Sequence, residues 1–156
     1  MMNHKGRLLL VLMTVGLSYS VAAAQERKLR RDQLPPAVEK TVAAESQGAT
    51  IKGFSTEVEN GRRLYEAELI VNGRHKDISM DRNGVIVEIE KEVSMDSLPA
   101  NVQDALKQAA GTGTIEMIES LTKNGKLIAY EGRVKRGNKR FEIQVGPQGE
   151  KLKKPE

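Results

Sequence analysis

At 156 residues, with 38% hydrophobic and 3% aromatic content, the chain can build one ordinary domain or two very small ones with aliphatic cores. It contains no cysteine, which excludes disulfides, thiolate catalysis, sulfur-ligated zinc and a lipidated N-terminal cysteine. The formal charge of +4 is unevenly spread: residues 34–97 hold 8 Lys+Arg against 12 Asp+Glu (net −4), and residues 98–156 hold 11 against 7 (net +4). Halves of opposite charge exclude a uniform basic coat for nucleic acid. Their mutual attraction, within or between chains, allows self-association that fades as salt rises.

Residues 1–24 read as a secretory signal peptide. Lys5 and Arg7 form the charged region, Leu8-Leu9-Leu10-Val11-Leu12-Met13 begins the apolar core, and Ala22 and Ala24 precede a cut at Gln25. The apolar run is interrupted by Ser18, Tyr19 and Ser20 and falls short of the roughly 20 residues that span a bilayer, so no stable membrane insertion is expected. The mature protein is then periplasmic or secreted. Residues 25–33 are a charged arm with little to bury, expected to be flexible.

Leu34-Pro35-Pro36 opens a first helix, with proline where a missing N–H is harmless; Leu34, Val38 and Val42 recur along one face and Gly48 ends the run. Three turns follow. Asn60-Gly61 places Thr56 opposite Tyr65 and Phe54 opposite Ala67. Asn72-Gly73 places Tyr65 opposite Met80, Ala67 opposite Ile78 and Leu69 opposite Lys76. Asp81-Arg82-Asn83-Gly84 places Met80 opposite Val85 and Ile78 opposite Val87. All three agree on one apolar face, made of Phe54, Val58, Tyr65, Ala67, Leu69, Val71, Ile78, Met80, Val85, Val87 and Ile89, which the helix should cover.

The pattern then repeats. A second helix is expected with Asp96 or Ser97 as cap, Pro99 near its start, Leu98, Val102, Leu106 and Ala109 on one face, and Gly111 at its stop. The second copy aligns at an offset of 64 through Asn124-Gly125 and of 65 from Tyr130 onward, so one residue has been added between them. That suggests a three-residue loop with a bulge in place of the tight turn. The inner face becomes Ile118, Ile128, Tyr130, Val134, Phe141, Ile143 and Val145. The fold class is therefore α+β: a tandem repeat, residues 34–97 and 98–156, of one helix packed on a four-stranded antiparallel sheet. Units this small are marginal alone, so they should share an interface or a continuous sheet. The basic tail from residue 151 is expected to fray.

Tyr65-Glu66-Ala67-Glu68-Leu69, the Asn72-Gly73 turn, Ile78-Ser79-Met80-Asp81 and Asn83-Gly84-Val85-Ile86 resemble the PepSY-like domains of exported bacterial proteins, in particular the group likened to the beta-lactamase inhibitor protein. The second copy matches with Tyr130-Glu131-Gly132, Ile143, Val145 and Gly149, and departs from the pattern with Gly146 in place of the aspartate. The resemblance covers nearly the whole mature chain. It implies a helix-on-sheet unit used twice, no catalytic residues, and a role in binding or inhibiting proteins, often exported hydrolases.

The residues agree that catalysis has little to stand on. His75 is the only histidine of the mature chain, no serine sits in a nucleophile turn, and no glycine-rich loop leads from a strand into a helix. No motif implies a cofactor or a dedicated metal site.

Three surfaces remain as candidates. The expected registers put Glu68, Asp77 and Glu88 side by side on the outer face of the first sheet, with His75 between Ile70 and Glu90 in the next row. Such like-charge neighbours repel, so the row reads as a dock for a basic protein surface, as a calcium-type ion site, or as a solvated acidic face that favours solubility. In the second copy the corresponding row, Arg133, Glu142 and Lys153, alternates in sign. There Met117, Leu121, Leu127 and Ala129 are expected to form an outward apolar patch, read either as an interaction site or as packing lost to a bulge. The basic run Arg133, Lys135, Arg136, Lys139 and Arg140 reads as a solvated hairpin tip or as a contact for anionic envelope components.

Overall fold

Each strand of the protein pairs with its neighbours in the chain. The computed structural model describes residues 26–152, and in it eight antiparallel strands form one sheet in the order β1 to β8. These are β1 (Arg27–Leu29), β2 (Thr50–Glu59), β3 (Arg62–Val71), β4 (Arg74–Met80), β5 (Ile86–Glu92), β6 (Thr114–Lys123), β7 (Lys126–Arg136) and β8 (Lys139–Val145). Helix α1 (Pro36–Glu45) precedes β2, and α2 (Ala100–Ala110) precedes β6. The expected signal peptide, residues 1–24, and the tail beyond residue 152 lie outside the described residues.

The α+β architecture stands, but the picture of two four-stranded units needs correction. The first copy contributes α1 and β2 to β5. The second contributes α2 and three strands; where a fourth would start, the described residues give only a single bridge between Val145 and Lys151. The two parts share one sheet because β5 pairs with β6, setting Ile89 opposite Thr122 and Lys91 opposite Ser120. The arm is not free either. Arg27, Lys28 and Leu29 pair with Thr56, Ser55 and Phe54, and a 3-10 turn at Arg31–Gln33 follows. One apolar residue suffices to seat it: Leu29 packs on the first core, while Arg31 holds Glu39 of α1 at 2.6 Å.

The helices form where the apolar spacing demands. Val38 and Val42 are buried with Leu34, and Val102, Leu106 and Ala110 with Leu98. Ala110, not Ala109, completes the second stripe. Both helices start from a proline at the cap, Pro35 and Pro99, whose missing N–H leaves no unsatisfied donor there. Asp96 and Ser97, expected as caps, belong instead to a 3-10 turn at Met95–Ser97.

The first two turns set their registers as expected. Thr56 faces Tyr65, Phe54 faces Ala67, Ala67 faces Ile78 and Leu69 faces Lys76. The third does not. Asp81 Oδ1 accepts from the N–H groups of Asn83 (2.8 Å) and Val85 (3.0 Å), which closes a longer loop. Ile78 then faces Ile89 and Met80 faces Ile86, with Val87 bulged out between. Val85 is left 57% exposed and Val58, near its hairpin tip, 48% exposed, so neither joins the inner face.

Gly84 and the equivalent Gly149 seat this loop on the helix in each copy. Both have positive φ (74° and 77°), and a Cβ would lie 2.4 Å from Ala37 O and 2.6 Å from Asn101 O. In the second copy Asn124-Gly125 keeps its tight two-residue turn, with Lys123 opposite Lys126 and positive φ at both positions. The added residue is Ile128, accommodated as a bulge within β7 and not as a longer loop.

Candidate functional site

Both helices lie on one face of the sheet, so the other face is uncovered. Its rows follow from the registers. Across β2 to β7 run Gly53, Glu68, Asp77, Glu90, Leu121 and Ala129. Below lie Ile70 and His75, then Glu92, Glu119 and Glu131; above lie Ser55, Glu66, Ser79, Glu88 and Lys123. The acidic row is thus Glu68–Asp77–Glu90. Glu88 stands opposite Ser79, two residues from its expected place opposite Asp77: the longer loop shifts the register by one residue and the Val87 bulge by one more. His75 faces Ile70 as expected, but it is exposed and its backbone N–H donates to Glu92 Oε2 at 2.9 Å.

Several residues of this face are buried although no element covers them: Ser55 (1% exposed), Ser79, Glu119 (6%), Leu121 (2%) and Ala129. Burial without a covering layer requires the surrounding side chains to converge, as they do on the inside of a curved sheet. Bulges bend strands, and β2, β5, β6 and β7 all take part in register shifts. The expected exposed patch of Met117, Leu121, Leu127 and Ala129 is therefore corrected. Leu121 and Ala129 face each other and are buried, Met117 is half-buried opposite Arg133, and the bulge shifts Leu127 opposite Thr122.

Carboxylates gather where the two copies meet. Oxygens of Asp77, Glu90 and Glu119 lie within 4.8 Å of one another, and Asp77 Oδ1 is buried without a hydrogen-bond partner. Lys28 pairs with Glu68, Lys123 with Glu88 at 3.4 Å, and Arg133 with Glu119 at 3.8 Å. Among the described residues, Glu66, Asp77 and Glu90 make no ion pair.

Poor access to water pushes Glu66, Asp77, Glu88, Glu90 and Glu119 toward the neutral form. Desolvation, with help from Glu119, Glu88, Glu131 and Asp77, raises Glu90 to about 8. Desolvation and the charges of Asp77 and Glu68 raise Glu66 to about 7. Asp77 is raised by burial and Glu68. Burial also raises Glu88 and Glu119, against the pull of Lys123 and Arg133 respectively.

Sequence reasoning placed Glu68, Asp77 and Glu90 on this face but missed two contributors. Glu66 was readable from strand alternation, two positions before Glu68. Glu119 was not, because the β5–β6 seam that carries it to Glu90 has no turn to fix its register. The basic run divides: Arg133 reaches Glu119, Arg140 holds Glu116 at 2.8 Å, and Arg136 lies over the Phe141 ring and donates to Ala110 O.

No protein-family model matches the chain, and no curated protein does. Solved structures do. A protein described as periplasmic from Bacteroides eggerthii is similar over 77% of this chain and 86% of its own, with TM-score 0.63 and 18% identity. A DUF2874 family protein from Bacteroides ovatus is similar over 78% and 86%, with TM-score 0.60 and 21% identity. A BLIP-like protein from Bacteroides fragilis is similar over 76% and 83%, with TM-score 0.55 and 22% identity. At these identities the likeness is one of fold.

Proposed function

We propose that the chain is an exported, non-enzymatic protein-binding module that inhibits or modulates an extracytoplasmic enzyme, and that it docks a basic partner surface on the uncovered face of its sheet. The observation that carries this reading is the set of three acids, Glu66, Asp77 and Glu90, which lie together on that face with no ion-pair partner among the described residues. Their raised pKa values express an unfavourable environment for charge. A lysine or arginine from a partner relieves it, since an opposite charge favours the ionised form. The leader-like segment and the shared fold with proteins described as periplasmic and BLIP-like support the same reading.

The test is affinity capture from an envelope extract of the source cell, comparing wild type with Glu66→Gln/Asp77→Asn/Glu90→Gln. A specific protein retained by wild type and lost from the triple variant supports the dock. Equal retention by both removes the acidic face from the function. Because docking a cation ionises these acids, capture should strengthen as pH rises from 6 to 9.

A second reading rests on the closeness of the Asp77, Glu90 and Glu119 oxygens. Three carboxylates at such spacing suit a hard divalent cation such as calcium. Calorimetric titration with calcium decides it: a saturable heat in wild type that is absent from Glu90→Gln supports the ion, and no heat in either rejects it.

A further inference from the structure

We propose that the cleft between the start of α1, β3 and the β4–β5 loop binds an acidic peptide segment of a partner protein, with Arg63 and Arg82 holding its carboxylates. The cleft is on the helix side of the sheet, where Tyr65 packs on the first core. It is separate from the acidic face.

Strand register and a seated loop bring the two arginines together. Tyr65–Met80 is the last pair of the β3–β4 ladder at this end. Arg63 lies two residues before Tyr65, and Arg82 lies two residues after Met80. The loop that carries Arg82 is fixed against α1, because Thr41 Oγ1 donates to Gly84 O at 2.7 Å. Both arginines are exposed, and both line one cleft of about 610 Å³.

The charge in this cleft has one sign. No carboxylate lines it; Gln33, Tyr65 and Asn83 add neutral donors, and Leu34, Pro35 and Pro36 form an apolar wall. The nearest acids in sequence are engaged elsewhere. Asp32 holds Arg30 at 3.1 Å, Glu39 holds Arg31 at 2.6 Å, and Asp81 Oδ1 accepts from the loop's own N–H groups. Among the described residues, Arg63 and Arg82 make no ion pair. The positive end of the α1 dipole adds to the same field. The fold itself does not call for these cations: in the second copy Leu127 and Pro147 stand at the equivalent positions.

The chemistry and shape of the cleft select the ligand. A guanidinium matches a carboxylate with two parallel hydrogen bonds. A free inorganic anion would leave the wall of Leu34, Pro35 and Pro36 unused, whereas a peptide sets an apolar side chain there beside its acid. The cleft also continues past Gln33, Arg63 and Tyr65 into a second one of about 580 Å³, where Arg27 stands beside Leu29 and Val58. Glu26, which also lines that part, is held by Lys28 at 2.8 Å. Cationic and apolar groups thus follow one another along a groove, as an extended chain with alternating acidic and apolar residues requires.

Fluorescence anisotropy with a rhodamine-labelled synthetic peptide of alternating glutamate and leucine tests this. Wild type is expected to bind it saturably, with an affinity that falls as salt rises. Arg63→Gln/Arg82→Gln is expected to weaken binding at least about tenfold, with an unchanged circular-dichroism spectrum because both side chains are exposed. The acidic-face variant Glu66→Gln/Asp77→Asn/Glu90→Gln is expected to bind as wild type does, which keeps this site distinct from the dock proposed above. Nuclear magnetic resonance on unaltered protein gives a second readout: the peptide should shift the signals of Gln33, Tyr65 and Asn83. No saturable binding, equal binding of a glutamine–leucine peptide, a double arginine variant that binds like wild type, or loss of binding in the acidic-face variant overturns the proposal. Displacement of the peptide by millimolar inorganic phosphate also overturns it, by reducing the site to one for a simple oxyanion.

Discussion

Replacing Glu90 with glutamine removes a charge that the fold holds in an unfavourable place. In the unfolded chain Glu90 has its ordinary pKa of 4.5, and in the folded protein about 8. Below 4.5 both states carry the proton. Between 4.5 and 8 the folded state holds more protons than the unfolded one, so stability falls as pH rises through this window. Above 8 both forms are ionised and the full penalty remains. A difference of that size corresponds to about 5 kcal/mol at most, and solvent screening of a half-buried carboxylate reduces the expected gain in Glu90→Gln to about 2 kcal/mol at pH 9. For a domain of this size that is roughly 8 °C in Tm. Thermal unfolding of wild type and variant from pH 4 to 9.5 measures it. The two melting curves should coincide near pH 4 and diverge progressively toward pH 8, with the variant the more stable. A variant no more stable than wild type at pH 9, or a gap that is constant with pH, refutes the assignment of a desolvated carboxylate at this position.

Other consequences can be measured on the same protein. Leu121→Ala should lose about 2–4 kcal/mol in urea unfolding, because the side chain is 2% exposed on the face without helices; a loss below 1 kcal/mol would mean that face is open at Leu121. Gly84→Ala should lower stability by about 1–3 kcal/mol, through its positive φ and the clash with Ala37 O. Gly73→Ala, with positive φ but open space around it, should lose less. Lys123→Met should raise the pKa of Glu88 further, since Lys123 is what now opposes burial there; a carboxyl titration followed by nuclear magnetic resonance reads the direction.

The inner face of the sheet was legible from sequence because Asn60-Gly61 and Asn72-Gly73 each fix a register through their backbone conformation, and positive φ at both asparagines bears this out. Legibility ended where a side chain redefined a turn. Asp81 accepts two backbone N–H groups and lengthens the loop, which together with the Val87 bulge moved Glu90 into the place expected for Glu88. In the second copy the bulge at Ile128 turned an expected surface patch into buried Leu121 and Ala129. The short β1 carries one apolar residue, Leu29, too little for strand alternation to register; it forms because β2 offers an open edge. The cluster of Asp77, Glu90 and Glu119 belongs to the pairing of β5 with β6, a contact between copies that no local signal encodes.

Because the strands lie in the sheet in the order they occur in the chain, the two ends of the described fold sit on opposite rims. Tension applied through them acts across the strands. It loads the ladder one hairpin at a time, as a zipper is opened, and does not shear many hydrogen bonds at once. The protein should therefore yield to pulling in small steps from its rims, starting with the three residues of β1, at forces well below those borne by folds whose terminal strands lie side by side. A chain built this way can be dismantled from either end by a processive protease while the seam between its copies still holds.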